Sequence, residues 1–153
     1  MKSKHRLKPR DEVRRNMQAI RSSENAADVA LRRALHRGGL RFRKYTRTLV
    51  GTPDIVFSAA RVAVFVDGDF WHARVLREHG EHALVARLAH RNLGYWIPKF
   101  RRRIERDSEV SLALTKAGWK VMRLWESDVL AGVERVATKV ARIVRSRVSG
   151  VDR

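Results

Sequence analysis

Apolar positions recur along the chain in two periods. Over Ala26–Arg37, Ala27, Ala30, Leu31, Ala34 and Leu35 fall on one helical stripe, with Arg32, Arg33 and Arg37 facing away. Asn25 suits the N-cap, and Gly38-Gly39 ends the element. "LRFRKYT" alternates apolar and basic residues, the pattern of a half-exposed strand. Gly51 and Pro53 place a turn directly before a short strand, Asp54–Phe57. "RVAVFV" is apolar on both faces and predicts a central strand. Residues 78–94 give no firm period and predict irregular or helical structure. A long helix is predicted from Pro98 to Gly118, with Ile104, Val110, Leu112 and Leu114 among its apolar positions. "WKVMRLW" predicts a third apolar strand, and "VERVATKVARIV" a final amphipathic helix. The order α-β-β-β-α-β-α predicts a mixed sheet flanked by helices, and 153 residues suffice for one domain with one core.

Charge narrows the partner. The formal net charge is +18, and the first 50 residues hold 15 basic against 4 acidic side chains. Such an excess says nothing about fold but points to a polyanion, nucleic acid first. Arg14, Arg15 and Arg21 crowd the N-terminal arm, while Lys99, Arg101, Arg102, Arg103 and Arg106 crowd the start of the long helix. These cations suit phosphates, which set affinity rather than sequence. Six to ten such contacts would weaken binding by about 10³–10⁵ between roughly 50 and 200 mM salt. There is no cysteine, which excludes disulfides and cysteine-bound zinc. No run approaches the roughly 20 apolar residues of a membrane span, and no signal peptide is read at the N-terminus, so a cytoplasmic location is expected.

Chemistry concentrates in "AVFVDGDFWH", Ala63–His72, where a buried-type strand runs into Asp67, Asp69 and His72. If this strand pairs with Asp54–Phe57 in a suitable register, Asp54 meets its end. A carboxylate beside a main-chain carbonyl is a good Mg²⁺ site, because that ion takes hard oxygen ligands and keeps several waters. Such an ion polarises a phosphoryl oxygen and lowers the pKa of a water. His72 is the natural proton acceptor beside it. Each residue alone has a plainer reading: an aspartate after proline is commonly a turn residue, and Asp67-Gly68 is a common turn pair.

Several blocks together carry more weight. "RRNMQAIRSSEN", "LRRALHRGGLRFRK", "GTPDIVF", "AVFVDGDFWH", "RRRIERD" and "GWKVMRLWESD" resemble, in order and spacing, the very short patch repair (Vsr) endonucleases from about Arg15 to Val144. The resemblance implies a restriction-endonuclease-like α/β fold related to the PD-(D/E)xK nucleases, bacterial and nucleoid-associated. It implies a Mg²⁺-dependent nick 5′ to the thymine of a T:G mismatch left by deaminated 5-methylcytosine. By this resemblance Asp54 binds the metal, Val66 offers its main-chain carbonyl, and His72 is catalytic. Asp28 stands for an acid of the first helix, which either holds a metal-bound water or orients His72. Asp67 takes a position that is histidine in some members and aspartate in others. Phe70, Trp71 and Trp96 match aromatics that wedge into the duplex, and Met17 a residue approaching from the other groove. Unstacking costs a few kcal/mol, less at a mismatch, and aromatic faces return roughly 1–3 kcal/mol per stacked base.

The chain departs from the family at its structural zinc. Asp69 occupies the usual first cysteine position, Ser127 follows "WE", and His79, His82 and His90 do not form a tetrahedral set by spacing. No zinc is expected, so packing or ion pairs through Asp69 with Arg74 or Arg77 must fix the loop. Two other readings therefore stay open: a nickase with relaxed mismatch preference, and an inactive DNA-binding module. The expected organisation is a basic, partly flexible arm over 1–22, an endonuclease domain over 23–146 and a flexible tail over 147–153, acting as a monomer on double-stranded DNA, with mismatch-repair factors as candidate partners.

Overall fold

A computed structural model describes residues 26–89 and 91–150. Asn25, His90, Met17, Arg14, Arg15, Arg21 and the whole 1–22 arm lie outside the described residues. A four-stranded sheet has the order β1-β2-β3-β4, with β1 Arg43–Lys44, β2 Ile55–Phe57, β3 Val62–Asp67 and β4 Lys120–Trp125. β1/β2 and β2/β3 are antiparallel, whereas β3/β4 is parallel, reached by a crossover through two helices. This is the mixed sheet the element order predicts.

Helix α1, over 26–37, and α5, Val133–Ser149, cover one face. Their stripes Ala27, Leu31, Ala34, Leu35 and Val136, Ala137, Val140, Val144 meet Ile55, Phe57, Val62, Val64 and Met122. Helix α3, Leu93–Lys116, covers the other face, where Val110 and Leu114 meet Ala63 and Phe65. The side chains of β3 therefore alternate between two cores, as a strand buried on both sides must. A third cluster joins Ala73, Leu84 and Leu88 to Phe100, with Trp96 packed against it; it anchors α2, Arg74–Arg87, on the first turns of α3.

Three element boundaries differ from expectation, and the segment expected to be irregular or helical is helix over most of its length. The half-exposed strand shrinks to Arg43–Lys44, since Tyr45 turns into the left-handed region at φ 47°. Residues 78–87 are helical within α2, broken at Gly80, whose φ of 81° fits glycine. Helix α3 starts five residues before Pro98, at Leu93, capped by the Asn92 side chain accepting from the Tyr95 amide at 3.3 Å. Leu93, Trp96, Ile97 and Phe100 all pack into the third cluster, and that stripe carries the helix across the proline. Helix α5 runs to Ser149, three residues into the expected tail, because Arg147 donates to the carbonyls of Ala60 and Gly118 at 2.7 and 3.1 Å. Leu112, expected among the apolar positions of α3, is exposed.

The turn before β2 is tightly built. Gly51 has φ 77°, and a Cβ there would lie 2.4 Å from Cγ1 of Val110. Gly51→Ala should therefore cost about 2–4 kcal/mol, from backbone strain plus overpacking, read as a lower urea midpoint at unchanged m.

Candidate active site

The hairpin register decides where Asp54 goes. Ile55 pairs with Val64, and the Asp54 amide donates to the Val64 carbonyl at 3.0 Å. Its side chain then reaches along the strand, and Oδ2 accepts from the Val66 amide at 2.7 Å. Asp54 and the end of β3 thus converge, which the sequence left conditional on register.

Asp28 arrives from α1. It is only 3% exposed, and its Oδ2 accepts from the Tyr45 hydroxyl. Arg32 Nε lies 3.2 Å from Oδ1, but the two are not aligned as a hydrogen bond, so this buried oxygen has no hydrogen-bond partner among the described residues. The proximity is a charge contact, and the lone pairs of Oδ1 remain available. Tyr45 ties the two acids together: its hydroxyl holds Asp28 while its amide donates to the Asp54 carbonyl at 3.2 Å. Burial first, then the hydrogen bond and charge of Asp28, with Asp54 adding, push the Tyr45 phenol up to about 12. It stays a neutral donor at any working pH.

His72, 9% exposed, sits at the mouth of the turn that follows β3. Its Nδ1 is 2.6 Å from Asp107 Oδ2, while Asp67 Oδ1 is more distant at 3.6 Å. Asp107 is on α3, on the same buried stripe as Phe100, Val110 and Leu114. Burial opposes its ionisation, but the hydrogen bond and charge of His72, with Arg123 and Arg103, hold its carboxyl below the usual range. Arg77 donates to Asp107 Oδ2 at 2.7 Å. Arg123 donates to both oxygens of Asp67 at 3.1 Å and to the Asp107 carbonyl at 3.2 Å, with its guanidinium 4.2 Å over the Phe65 ring.

Asp67, His72 and Asp107 bring ligand atoms within 4.8 Å of one another. A metal there would compete with Arg77 and Arg123 for the same carboxylate oxygens. Outside that group, Asp54 offers a carboxylate at the Val66 main chain, an oxygen-donor setting of the kind a hard cation takes. The His72 ring is held at Nδ1 by Asp107.

The aromatics form one connected group. Phe70 is 5.3 Å from Trp71, 5.1 Å from Trp96 and 5.3 Å from Phe100 between ring centroids. Phe100 is buried, whereas Phe70 and Tyr95 are exposed. The group is rooted in the core and reaches the surface at Phe70 and Tyr95, with Arg91 5.5 Å over Phe70 and Lys99 Nζ 5.1 Å over Trp71 and 5.3 Å over Trp96. Arg101 and Arg102 are exposed on α3, Arg101 pairing with Glu81, while Arg103 turns inward to His72.

A polar clasp fixes the loop that carries Phe70 and Trp71. Asp69 accepts from the Ser127 amide at 3.0 Å, from the Ser127 hydroxyl at 2.5 Å and from Arg74 at 3.0 Å. Arg74 also reaches Asp128 at 3.1 Å and Glu78 at 2.9 Å. Of the two arginines expected beside Asp69, Arg74 takes the place and Arg77 goes to Asp107. Burial opposes the charge on Asp69, but Ser127 and Arg74 hold its carboxyl below the usual value. A carboxyl lowered in this way adds stability above its unfolded pKa of about 3.9 and loses it as pH falls through the folded value. Arg74→Met should therefore cost about 1 kcal/mol near pH 7, a modest figure because the pair is partly exposed, and lower Tm by about 2–4 °C. The gap to wild type should narrow on acidification, which thermal melts at several pH values would test.

Sequence reasoning missed Asp107, Arg77, Arg123 and Tyr45 as members of the site. The first had a signal, an acid on the stripe Phe100–Ile104–Val110–Leu114; so did Arg123, a cation inside an apolar strand.

A mixed sheet that brings Asp54 to the end of β3, followed by a histidine paired with a buried acid, in a chain of net charge +18, fits a nuclease. Comparison with known proteins agrees. Residues 8–78 match the family described as DNA mismatch endonuclease Vsr. The chain is 47% identical over 121 residues to the type II nicking enzyme V.NaeI of Lentzea aerocolonigenes, covering 76% of this chain and 68% of that one. It is 36% identical over 142 residues to the type II nicking enzyme V.NmeDIP of Neisseria meningitidis serogroup C, covering 93% and 91%. With the DNA mismatch endonuclease Vsr of Escherichia coli it shares 30% over 122 residues, covering 80% and 73%. The chain belongs to the Vsr family and is a DNA endonuclease. No described helix is long and apolar enough to cross a membrane.

Proposed function

We propose that this endonuclease nicks one strand of duplex DNA 5′ to the thymine of a T:G mismatch, with Mg²⁺ as cofactor. The observation that carries the reading is the hydrogen bond that brings Asp54 Oδ2 to the Val66 amide at the end of β3, the strand whose exit loop bears His72 and the exposed Phe70. Asp54 and the Val66 carbonyl would hold the ion, with Asp28 accepting from one of its waters. Bound there, Mg²⁺ would lower the pKa of a water and offset phosphoryl charge. His72 takes the proton of the attacking water at Nε2, and Asp107 holds the opposite nitrogen so that Nε2 carries the lone pair. Asp67, pinned by Arg123, screens that pair from the cationic side chains around it. Phe70, Trp71 and Trp96 enter the weakened step at the mismatch, while Lys99, Arg101 and Arg102, with Met17, Arg14, Arg15 and Arg21 of the arm, engage the duplex. One active site and one asymmetric lesion suit a monomer in the bacterial cytosol.

The relatives named as type II nicking enzymes favour a second reading, a nickase with relaxed mismatch preference. End-labelled duplexes, one T:G mismatched and one fully paired, incubated with Mg²⁺ or EDTA, separate the two. A Mg²⁺-dependent nick beside the thymine alone supports the repair reading; equal cutting of both duplexes supports the second. Firm, salt-sensitive binding with no product under Mg²⁺ would overturn both.

A further inference from the structure

Both ring nitrogens of His72 are engaged. A guanidinium can only donate, so Arg103 Nη2 at 3.0 Å makes His72 Nε2 the acceptor and leaves the ring proton on Nδ1, facing Asp107 at 2.6 Å. The lone pair needed to take a proton from water is therefore already occupied. We propose that Arg103 is a removable cap on His72, drawn off by a DNA phosphate, so that seating the backbone uncovers the base. This rests on the reading of His72 as the proton acceptor and assigns the contact that keeps it idle without substrate.

Three observations mark Arg103 as the displaceable member of the cluster. Its Nε is 3.8 Å from Asp107 Oδ1, too long for a hydrogen bond, and its side chain is 47% exposed. Arg77 and Arg123 hold Asp107 independently, at 2.7 Å to its carboxylate and 3.2 Å to its carbonyl. Withdrawal of Arg103 thus leaves Asp107 paired and Nδ1 anchored. Lys99, one helical turn earlier, lies over Trp71 and Trp96, so DNA that reaches the aromatic edges passes along the same face of α3. A phosphate offers this guanidinium a charge-assisted, bidentate partner, stronger than a single bond to a neutral ring nitrogen. Arg103 is in this sense a positioning residue, since it couples backbone binding to the availability of Nε2.

The test uses the full chain labelled with ¹⁵N-histidine, kept in EDTA so that it does not cut, with and without a short T:G duplex. Long-range ¹H–¹⁵N correlation should show His72 Nε2 as a hydrogen-bonded acceptor in the free protein. Its shift should move toward an unbonded acceptor on adding DNA, with Nδ1 unchanged. Arg103→Met should show the uncapped shift without DNA. In steady-state nicking Arg103→Met should raise KM about tenfold and change kcat less. An Nε2 shift that neither DNA nor Arg103→Met alters would overturn the cap, as would a kcat loss of about 10³-fold at unchanged KM, which would put the arginine in the chemistry. Uncapping by DNA with no cleavage of any duplex would sustain the cap and remove the catalytic reading; nicking without uncapping would do the reverse.

Discussion

Asp54→Ala is expected to lower the nicking rate by at least about 10³-fold, some 4 kcal/mol of transition-state stabilisation. The carboxylate accepts from the Val66 amide at 2.7 Å, beside the ion position proposed above. DNA affinity should stay within about threefold of wild type, or improve, since a negative charge leaves a surface that meets phosphate. The alanine also strands the Val66 amide, at a cost of about 1–3 kcal/mol if water cannot reach it. Asp54→Asn is the better second variant, because its carbonyl oxygen can keep that hydrogen bond while the charge is lost. Equal rate losses in both variants, with unchanged circular dichroism, would tie the effect to charge rather than folding. Nicking at the wild-type rate by either would remove Asp54 from the mechanism.

Asp107→Asn carries the second large effect. An amide can donate to Nδ1 as well as accept from it, so the His72 tautomer is no longer imposed, and the rate should fall by about 10²–10⁴-fold. The same change takes the counter-charge from Arg77 and leaves Arg103 and Arg123 with less compensation around a buried position. Breaking a buried pair on one side costs about 3–5 kcal/mol, and partial exposure of the arginines brings the expected loss nearer 2–3. The two consequences separate in measurement: kcat taken well below the melting temperature reports the tautomer, and the urea midpoint reports the charge. KM should change little, since Asp107 is buried under His72 and Arg77 and faces no solvent that DNA would fill. A rate within threefold of wild type would assign the orientation of His72 to another group.

Local patterns carried much of this fold. The stripes of α1 and α5 and the run of β3 are each legible because burial on one or two faces leaves a period in the sequence. The start of α3 was not, because Pro98 suggested a first turn while Asn92 and the Leu93–Phe100 stripe act earlier. For the proposed site, Asp54 and His72 drew attention by their place at strand ends and by the family resemblance. Their partners were not, since Asp107 is 35 residues from His72, Arg123 is 56 from Asp67, and Tyr45 is 17 from Asp28. Pairing at that range depends on the parallel register of β3 with β4 and on the rotation of α3 over the sheet, which no short motif records. The Asp69–Arg74 pair is the exception, because an acid in place of the family's cysteine had a cation only five residues on to hold it.

That contact has a consequence for where the enzyme can work. Asp69, Ser127 and Arg74 mount the aromatic loop with oxygen and nitrogen groups alone, and the chain carries no thiol. Peroxide has no thiolate to oxidise here, and a shortage of transition metal has no cysteine ligand to strip. The mounting answers to protons and ionic strength instead, so the aromatic loop should hold its position under peroxide and loosen in acid or high salt.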